Sequence, residues 1–142
     1  MQLSAITLDC ADPLALAGFY HRATGLPLHP RNHAEFAGVV RAEGGLLIGF
    51  QRVDGYRAPN WPAQDVPQQL HLDFDVDDLG AAEARLLALG AARPEQQPDP
   101  ERFLVLTDPA GHPFCLSPRV ATVATGSVAT GSVALGSVTA AP

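Results

Sequence analysis

Gln69-Leu70-His71-Leu72-Asp73-Phe74-Asp75-Val76 is the stretch that decides the fold of this chain. Its apolar residues alternate with polar ones, and this period of two is typical of a β-strand with one apolar face. On the other face His71 lies beside Asp73 and Asp75, and neighbours on one face of a strand are roughly 7 Å apart. Two interpretations remain open: the polar face meets solvent, or it lines a functional pocket.

The same pattern occurs near the N-terminus. When Ala5 is aligned with His71, windows 5–12 and 71–78 both carry apolar residues at their second, fourth and sixth places and Asp at the fifth and eighth. Each window leads into an apolar-striped helix that ends at a glycine. This internal symmetry predicts two β-α-β-β modules. Two half-sheets with helices on one side leave their other faces free to enclose a cavity.

Periodicity and turn residues predict six strands, at 3–10, 35–41, 46–53, 69–76, 103–107 and 114–116. The two helices are expected to begin after Asp12 and Asp78, because aspartate is a favoured N-cap residue. Gly44-Gly45 is expected to form a tight turn between two strands.

The chain divides into module one (1–53), a proline-rich connector (54–68), module two (69–118) and a tail (119–142). The connector contains the single tryptophan of the chain, Trp61. The tail repeats Gly-Ser-Val, which offers too little apolar area to offset the entropy of ordering, so we expect it to be disordered.

Composition excludes several classes of protein. With 142 residues, 46% of them hydrophobic, and a formal net charge of −6, the chain is long and apolar enough for one globular domain. The lack of a Lys/Arg run argues against nucleic acid, and no apolar run reaches the ~20 residues that a membrane span needs. With no signal peptide visible, we expect a cytoplasmic protein with reduced thiols.

The closing run Asp108-Pro109-Ala110-Gly111-His112-Pro113-Phe114-Cys115-Leu116, together with the paired strand-Asp-helix-Gly blocks, carries a family resemblance. The chain resembles the glyoxalase/bleomycin-resistance/extradiol-dioxygenase (vicinal oxygen chelate, VOC) superfamily, most closely its glyoxalase-like domain branch. The resemblance covers residues 1–118 and implies an α+β fold: two βαβββ modules forming an open barrel around a central pocket.

Metal-using members of this superfamily hold a divalent ion with residues from the first and last strands of each module. The resemblance places these positions at Ala5, Gln51, His71 and Cys115, with Gly49 as the alternative to Gln51. Alanine offers no donor and Cys115 replaces a carboxylate, so the resemblance implies an incomplete metal site.

A metal remains an alternative. A thiolate suits zinc, whereas nickel and manganese prefer nitrogen and oxygen donors. His71 and Cys115, supplemented by Asp73 or Asp9, would provide the three protein ligands of a catalytic zinc site. Cys115 as a small, buried apolar residue is the competing interpretation.

Two functions follow as hypotheses. The first is a small-molecule pocket, acidic and suited to an organic cation, with candidate binding residues Asp9, Gln51, Trp61, Asp73 and Cys115. The second is a metal-dependent lyase, isomerase or dioxygenase-type enzyme for a small carbonyl or vicinal-oxygen substrate. There His71 would act as base or ligand and Asp73 would orient it. A purely structural or interaction module is a third hypothesis, and the symmetry of the fold makes a homodimer an expectation. His112 is expected to hydrogen-bond within its own turn.

Overall fold

The computed structural model describes residues 2–41 and 45–119. Gly44 of the predicted Gly44-Gly45 turn and residues 120–142 of the tail lie outside these ranges. The elements, in chain order, are β1 (Ala5–Cys10), α1 (Pro13–Thr24), β2 (Phe36–Val40), β3 (Leu47–Arg52), β4 (Leu72–Val76), α2 (Leu79–Ala88), β5 (Leu104–Thr107) and β6 (Pro113–Pro118). All eight lie within a few residues of their predicted positions.

The strands form two mixed three-stranded sheets, with the orders β1-β3-β2 and β4-β6-β5. In the first sheet β3 is central, with β1 parallel and β2 antiparallel to it. In the second sheet β6 is central, with β4 parallel and β5 antiparallel to it. A fourth strand in each module is reduced to one isolated bridge, Leu28 with Val39 and Ala92 with Thr107. Among the described residues the sheets are not joined into a closed barrel.

Both helices begin as the sequence predicts. The side chains of Asp12 and Asp78 accept hydrogen bonds from the backbone N–H groups of Ala15 and Ala81, which satisfies one free donor at each N-terminus. α1 ends at Gly25, whose φ of 76° is left-handed and strains residues with a Cβ. No helix of the described ranges is long and apolar enough to cross a bilayer.

Helix α1 connects the two halves of the core. The ring of Tyr20 stacks on Phe50 of β3 with centroids 5.1 Å apart, and lies 6.4 Å from Phe74 of β4. The ring centroids of Phe19 and of Phe114 on β6 lie 6.4 Å apart. Helix α2, by contrast, buries only Leu86 fully. Helix α1 therefore packs on both sheets, whereas α2 contributes a single buried side chain.

A buried carboxylate completes this junction. Asp108 is 3% exposed, and its Oδ2 accepts a 2.8 Å hydrogen bond from the Tyr20 hydroxyl. Its Oδ1 accepts from the backbone N–H groups of Ala110 and His112 at 2.9 and 3.0 Å. Burial raises the pKa of Asp108, and the nearby His112 opposes that rise. Three donors thus compensate a desolvated acid between module one and module two.

The His112 ring corrects an expectation. Its backbone N–H bonds within its own turn, but the ring, 1% exposed, places Nε2 2.7 Å from the carbonyl oxygen of Asp9 on β1. A carbonyl only accepts, so Nε2 carries the proton. The Tyr56 hydroxyl lies 3.1 Å from the same nitrogen and donates to the carbonyl of Ala110 at 2.8 Å. These hydrogen bonds therefore link the connector and β1 to the turn that contains His112 in module two.

Replacing Asp108 by Ala should destabilise the protein by about 3 kcal/mol, because one hydroxyl and two backbone N–H groups lose their buried acceptor. Tyr20→Phe removes a single donor and should cost about 1 kcal/mol. Urea unfolding followed by circular dichroism measures both variants. Equal losses of unfolding free energy in the two variants would contradict this account of the junction.

Candidate functional site

His71, Asp73 and Cys115 form one cluster of side chains, called the donor cluster below. Asp73 on β4 and Cys115 on β6 are register partners, so both side chains lie on the same face of the second sheet. His71 immediately precedes β4, and its Nε2 lies 3.0 Å from Cys115 Sγ and 3.7 Å from Asp73 Oδ1. One donor atom from each residue lies within 4.8 Å of the other two. The structure thus brings together three of the six predicted site residues.

The three side chains differ in exposure. The side chain of Asp73 is 73% exposed and that of His71 28%, whereas Cys115 is buried. Burial, with a smaller contribution from the Asp73 charge, raises the pKa of Cys115 to about 11. At neutral pH this group is therefore a thiol, which is a weak nucleophile and must lose its proton before it ligates a metal.

The face that carries the donor cluster has a small buried region of its own. Val105 on β5 is the register partner of Cys115 and is 1% exposed. Neither residue belongs to the core cluster on the helix side. The side-chain amide of Gln97 bonds to both the N–H and the carbonyl of Val105 at 2.9 Å, which satisfies backbone groups on the outer side of β5.

Within its described residues, 2–41 and 45–53, module one has no equivalent of the donor cluster. The two sheets have the same register, so Thr7 faces Gly49 where Asp73 faces Cys115. A Cβ on Gly49 would lie only 2.6 Å from Cζ of Phe36. The Phe36 ring therefore occupies the space into which a side chain at position 49 would project.

The other predicted residues lie elsewhere. Gln51 is exposed and in register with Asp9, so it belongs to the first sheet, and its role as a donor stays a prediction. The Asp9 carboxylate accepts from Nε2 of Gln69 at 3.0 Å, and the side-chain Oε1 of Gln69 accepts from the backbone N–H of Asp9 at 3.1 Å. Trp61 lies beside the loop that contains Pro94.

A cavity of about 500 Å³ lies on the helix side of the second sheet, and we call it the helix-side cleft. Its floor is formed by Phe74, Val76, Phe114 and Leu116, and its walls by α1 and α2. Because Phe74 and Val76 alternate with Asp73 along β4, the cleft and the donor cluster lie on opposite faces of the sheet. The pocket predicted from the sequence lies on the face of the donor cluster, and no sequence pattern predicted this cleft.

The family model described as "Glyoxalase-like domain" matches residues 5–117, and the chain belongs to this family, within the VOC superfamily. No curated protein matches the chain.

Solved structures share the fold. The chain is similar to a glyoxalase/bleomycin resistance protein/dioxygenase family enzyme from Burkholderia phytofirmans PsJN, with 19% identity, TM-score 0.64 and coverage of 83% of this chain and 98% of that one. A possible glyoxalase from Bacillus cereus is 16% identical with a TM-score of 0.59, and the match covers 82% of this chain and 98% of that one. A glyoxalase-related enzyme from Fulvimarina pelagi is 22% identical with a TM-score of 0.59, and the match covers 84% of this chain and 88% of that one. At these identities the likeness establishes the α+β VOC fold.

Gly49→Ala should destabilise the protein by about 1–3 kcal/mol, because the new methyl group overlaps the Phe36 ring. Gly80→Ala is the matched control: its Cβ meets only Asp78 Oδ1 at 3.5 Å, so it should be neutral or stabilising. In a double-mutant cycle measured by urea unfolding, Phe36→Ala should reduce the cost of Gly49→Ala. A cost that is unchanged by Phe36→Ala would contradict the steric explanation.

Cys115 should react with iodoacetamide at pH 8 at least about tenfold more slowly than free glutathione, because its raised pKa leaves little thiolate. The rate should climb until the pH reaches about 11. Peptide mapping by mass spectrometry separates Cys115 from Cys10. Asp73→Asn should speed the reaction by removing the adjacent negative charge. A rate that levels off below pH 9 would disprove the predicted ionisation.

Proposed function

We propose that the protein is a small-molecule-binding VOC domain whose binding face is the face of the second sheet that carries the donor cluster. The observation that supports this proposal is the asymmetry between the modules. Three donor side chains converge in module two. In module one the equivalent positions are Ala5 and Gly49, and the Phe36 ring covers the latter. The four-donor set of metal-using relatives does not fit these residues.

The ligand that suits this face is a small organic cation. Asp73 is exposed and carries a negative charge within reach of the His71 ring, and the net charge of −6 favours cations at long range. We propose that Asp9, Gln51 and Trp61 contribute to the same binding surface. Tyr56 is held by the Ala110 carbonyl and the His112 ring, so the connector that contains Trp61 is anchored to the turn before β6.

Benzylamine, which is protonated at pH 7, tests the proposal. We expect saturable shifts of the His71 ring signals in NMR titrations, and binding at least tenfold weaker in Asp73→Asn. Asp54→Asn is the control, since the Asp54 side chain is 95% exposed and lies in the connector. An absence of shifts at millimolar benzylamine, or equal loss in both variants, would refute a cation site at the donor cluster.

A second candidate function is a zinc-dependent enzyme for a small carbonyl compound, and the donor cluster favours it specifically. Imidazole nitrogen, thiolate sulfur and carboxylate oxygen from three residues are a donor set that zinc accepts with an open coordination position. The thiolate favours zinc over nickel or manganese. Bound zinc would polarise a substrate carbonyl, and the chain would contribute ligands from β4 and β6.

Zinc binding can be measured without any assay of activity. By calorimetry we expect one Zn²⁺ per chain with release of a proton, because the Cys115 thiol must ionise. Cys115→Ser and His71→Ala should each weaken binding at least tenfold, whereas Cys10→Ser should not, since Cys10 lies in the core. The zinc hypothesis fails if Cys115→Ser binds Zn²⁺ as tightly as the unmodified chain.

Two further expectations stay predictions. Both cysteines are free, which is consistent with a reducing compartment such as the cytoplasm. A homodimer is proposed from the symmetry of the fold, and sedimentation of the purified chain would establish its oligomeric state.

A further inference from the structure

The first sheet has an apolar surface on its open face, which is the face away from the helices. Four half-buried side chains form this surface, called the apolar platform below: Ala5, Phe36, Val40 and Leu47. None of the four belongs to the core that the described residues form on the helix side, and none is among the side chains that pack against that core. The platform is therefore apolar area that remains partly in contact with solvent.

Two glycines shape the platform. Gly38 and Gly49 are register partners on β2 and β3. A Cβ on Gly49 would lie 2.6 Å from Cζ of Phe36, and a Cβ on Gly38 would lie 2.9 Å from Cδ1 of Leu47. The Phe36 ring and the Leu47 side chain therefore lie across the glycine pair, close to the backbone. The result is a shallow apolar surface on which a hydrocarbon chain or ring can pack.

The fixed charges of the open face have one sign. In the described strands, the positions on this face include no lysine and no arginine, whereas Asp9, Asp73 and Asp75 carry carboxylates. The side chain of Asp73 is 73% exposed. The open face is thus apolar in the first sheet and acidic in the second, and an amphipathic cation complements both parts.

The two parts of the open face meet at β1. Oγ1 of Thr7 lies 3.2 Å from the Cβ position of Gly49, so β1 borders the platform. On the side of module two, the backbone N–H and the carboxylate of Asp9 both bond to the side-chain amide of Gln69, which precedes His71 by two residues. A ligand that lies across β1 therefore has the platform at one end and the donor cluster at the other.

We propose that the ligand of the open face is an amphipathic amine, whose ammonium group lies at Asp73 and whose hydrocarbon part packs on the apolar platform. This inference rests on the cation site proposed above and adds the chemical class of the ligand. An alkyl chain or ring gains free energy by leaving water for the platform, whereas a small hydrophilic cation would leave the platform hydrated.

Straight-chain primary amines test this inference, with hexanoate as an anion of the same chain length. In NMR titrations of the full chain, hexylamine should shift the methyl signals of Val40 and Leu47 together with the ring signals of His71. Hexylamine should bind at least tenfold more tightly than ethylamine, because each buried methylene contributes a severalfold gain in affinity. Hexanoate should give no saturable shifts at these residues.

Two variants reduce the platform without touching the donor cluster. Phe36→Ala and Leu47→Ala should each weaken hexylamine binding at least threefold and leave ethylamine binding unchanged. Leu87→Ala is the matched control, because Leu87 lies on α2, away from the open face, and is 40% exposed. Circular dichroism verifies that each variant is folded, and the second platform variant guards against a folding defect in the first.

The outcomes distinguish this inference from the cation site on which it rests. Equal affinity for ethylamine and hexylamine, or normal hexylamine binding in both platform variants, would overturn the inference and leave the cation site at Asp73 standing. Hexanoate binding as tight as that of hexylamine would also overturn it. If no amine shifts the His71 ring, the cation site is wrong and the inference fails with it.

Discussion

The buried carboxylate of Asp108 is the constraint on which the arrangement of the two modules depends. A desolvated acid is costly unless donors surround it, and its donors come from both modules: the Tyr20 hydroxyl and the N–H groups of its own turn. The same turn orients the His112 ring toward β1. Because Tyr20 also stacks on Phe50, one helix residue joins the polar junction to the aromatic core.

The approximate two-fold symmetry of the chain makes its asymmetric features informative. Equivalent register positions carry Thr7 and Gly49 in one sheet, and Asp73 and Cys115 in the other. Positions 5 and 49 of module one carry alanine and glycine, and Phe36 fills the space beside Gly49, whereas module two carries a histidine and a thiol. A ligand that spans the two modules would therefore meet Thr7 and the Phe36 ring on one side and the donor cluster on the other.

The second sheet has two chemically distinct faces because β4 alternates strictly. One face carries the donor cluster, and the other forms the floor of the helix-side cleft. Both helices pack on this face: Phe19 and Tyr20 of α1 lie against Phe114 and Phe74, and α2 packs against β6 with Leu86 buried. The two faces of the same strand therefore differ in charge and in solvent exposure.

The sequence by itself determined the local features: strand periodicity around Phe74, aspartate caps at the helix starts, and the repeat that aligns Ala5 with His71. These depend on short-range geometry, so residues 5–12 and 71–78 were sufficient to predict them. Proximity of His71 to Cys115 followed from the family resemblance. Only the tertiary structure decided that Phe36 covers Gly49, that the His112 ring reaches β1, and that the cavity opens on the helix side. Those outcomes depend on how side chains from distant segments share space, and periodicity carries no information about that.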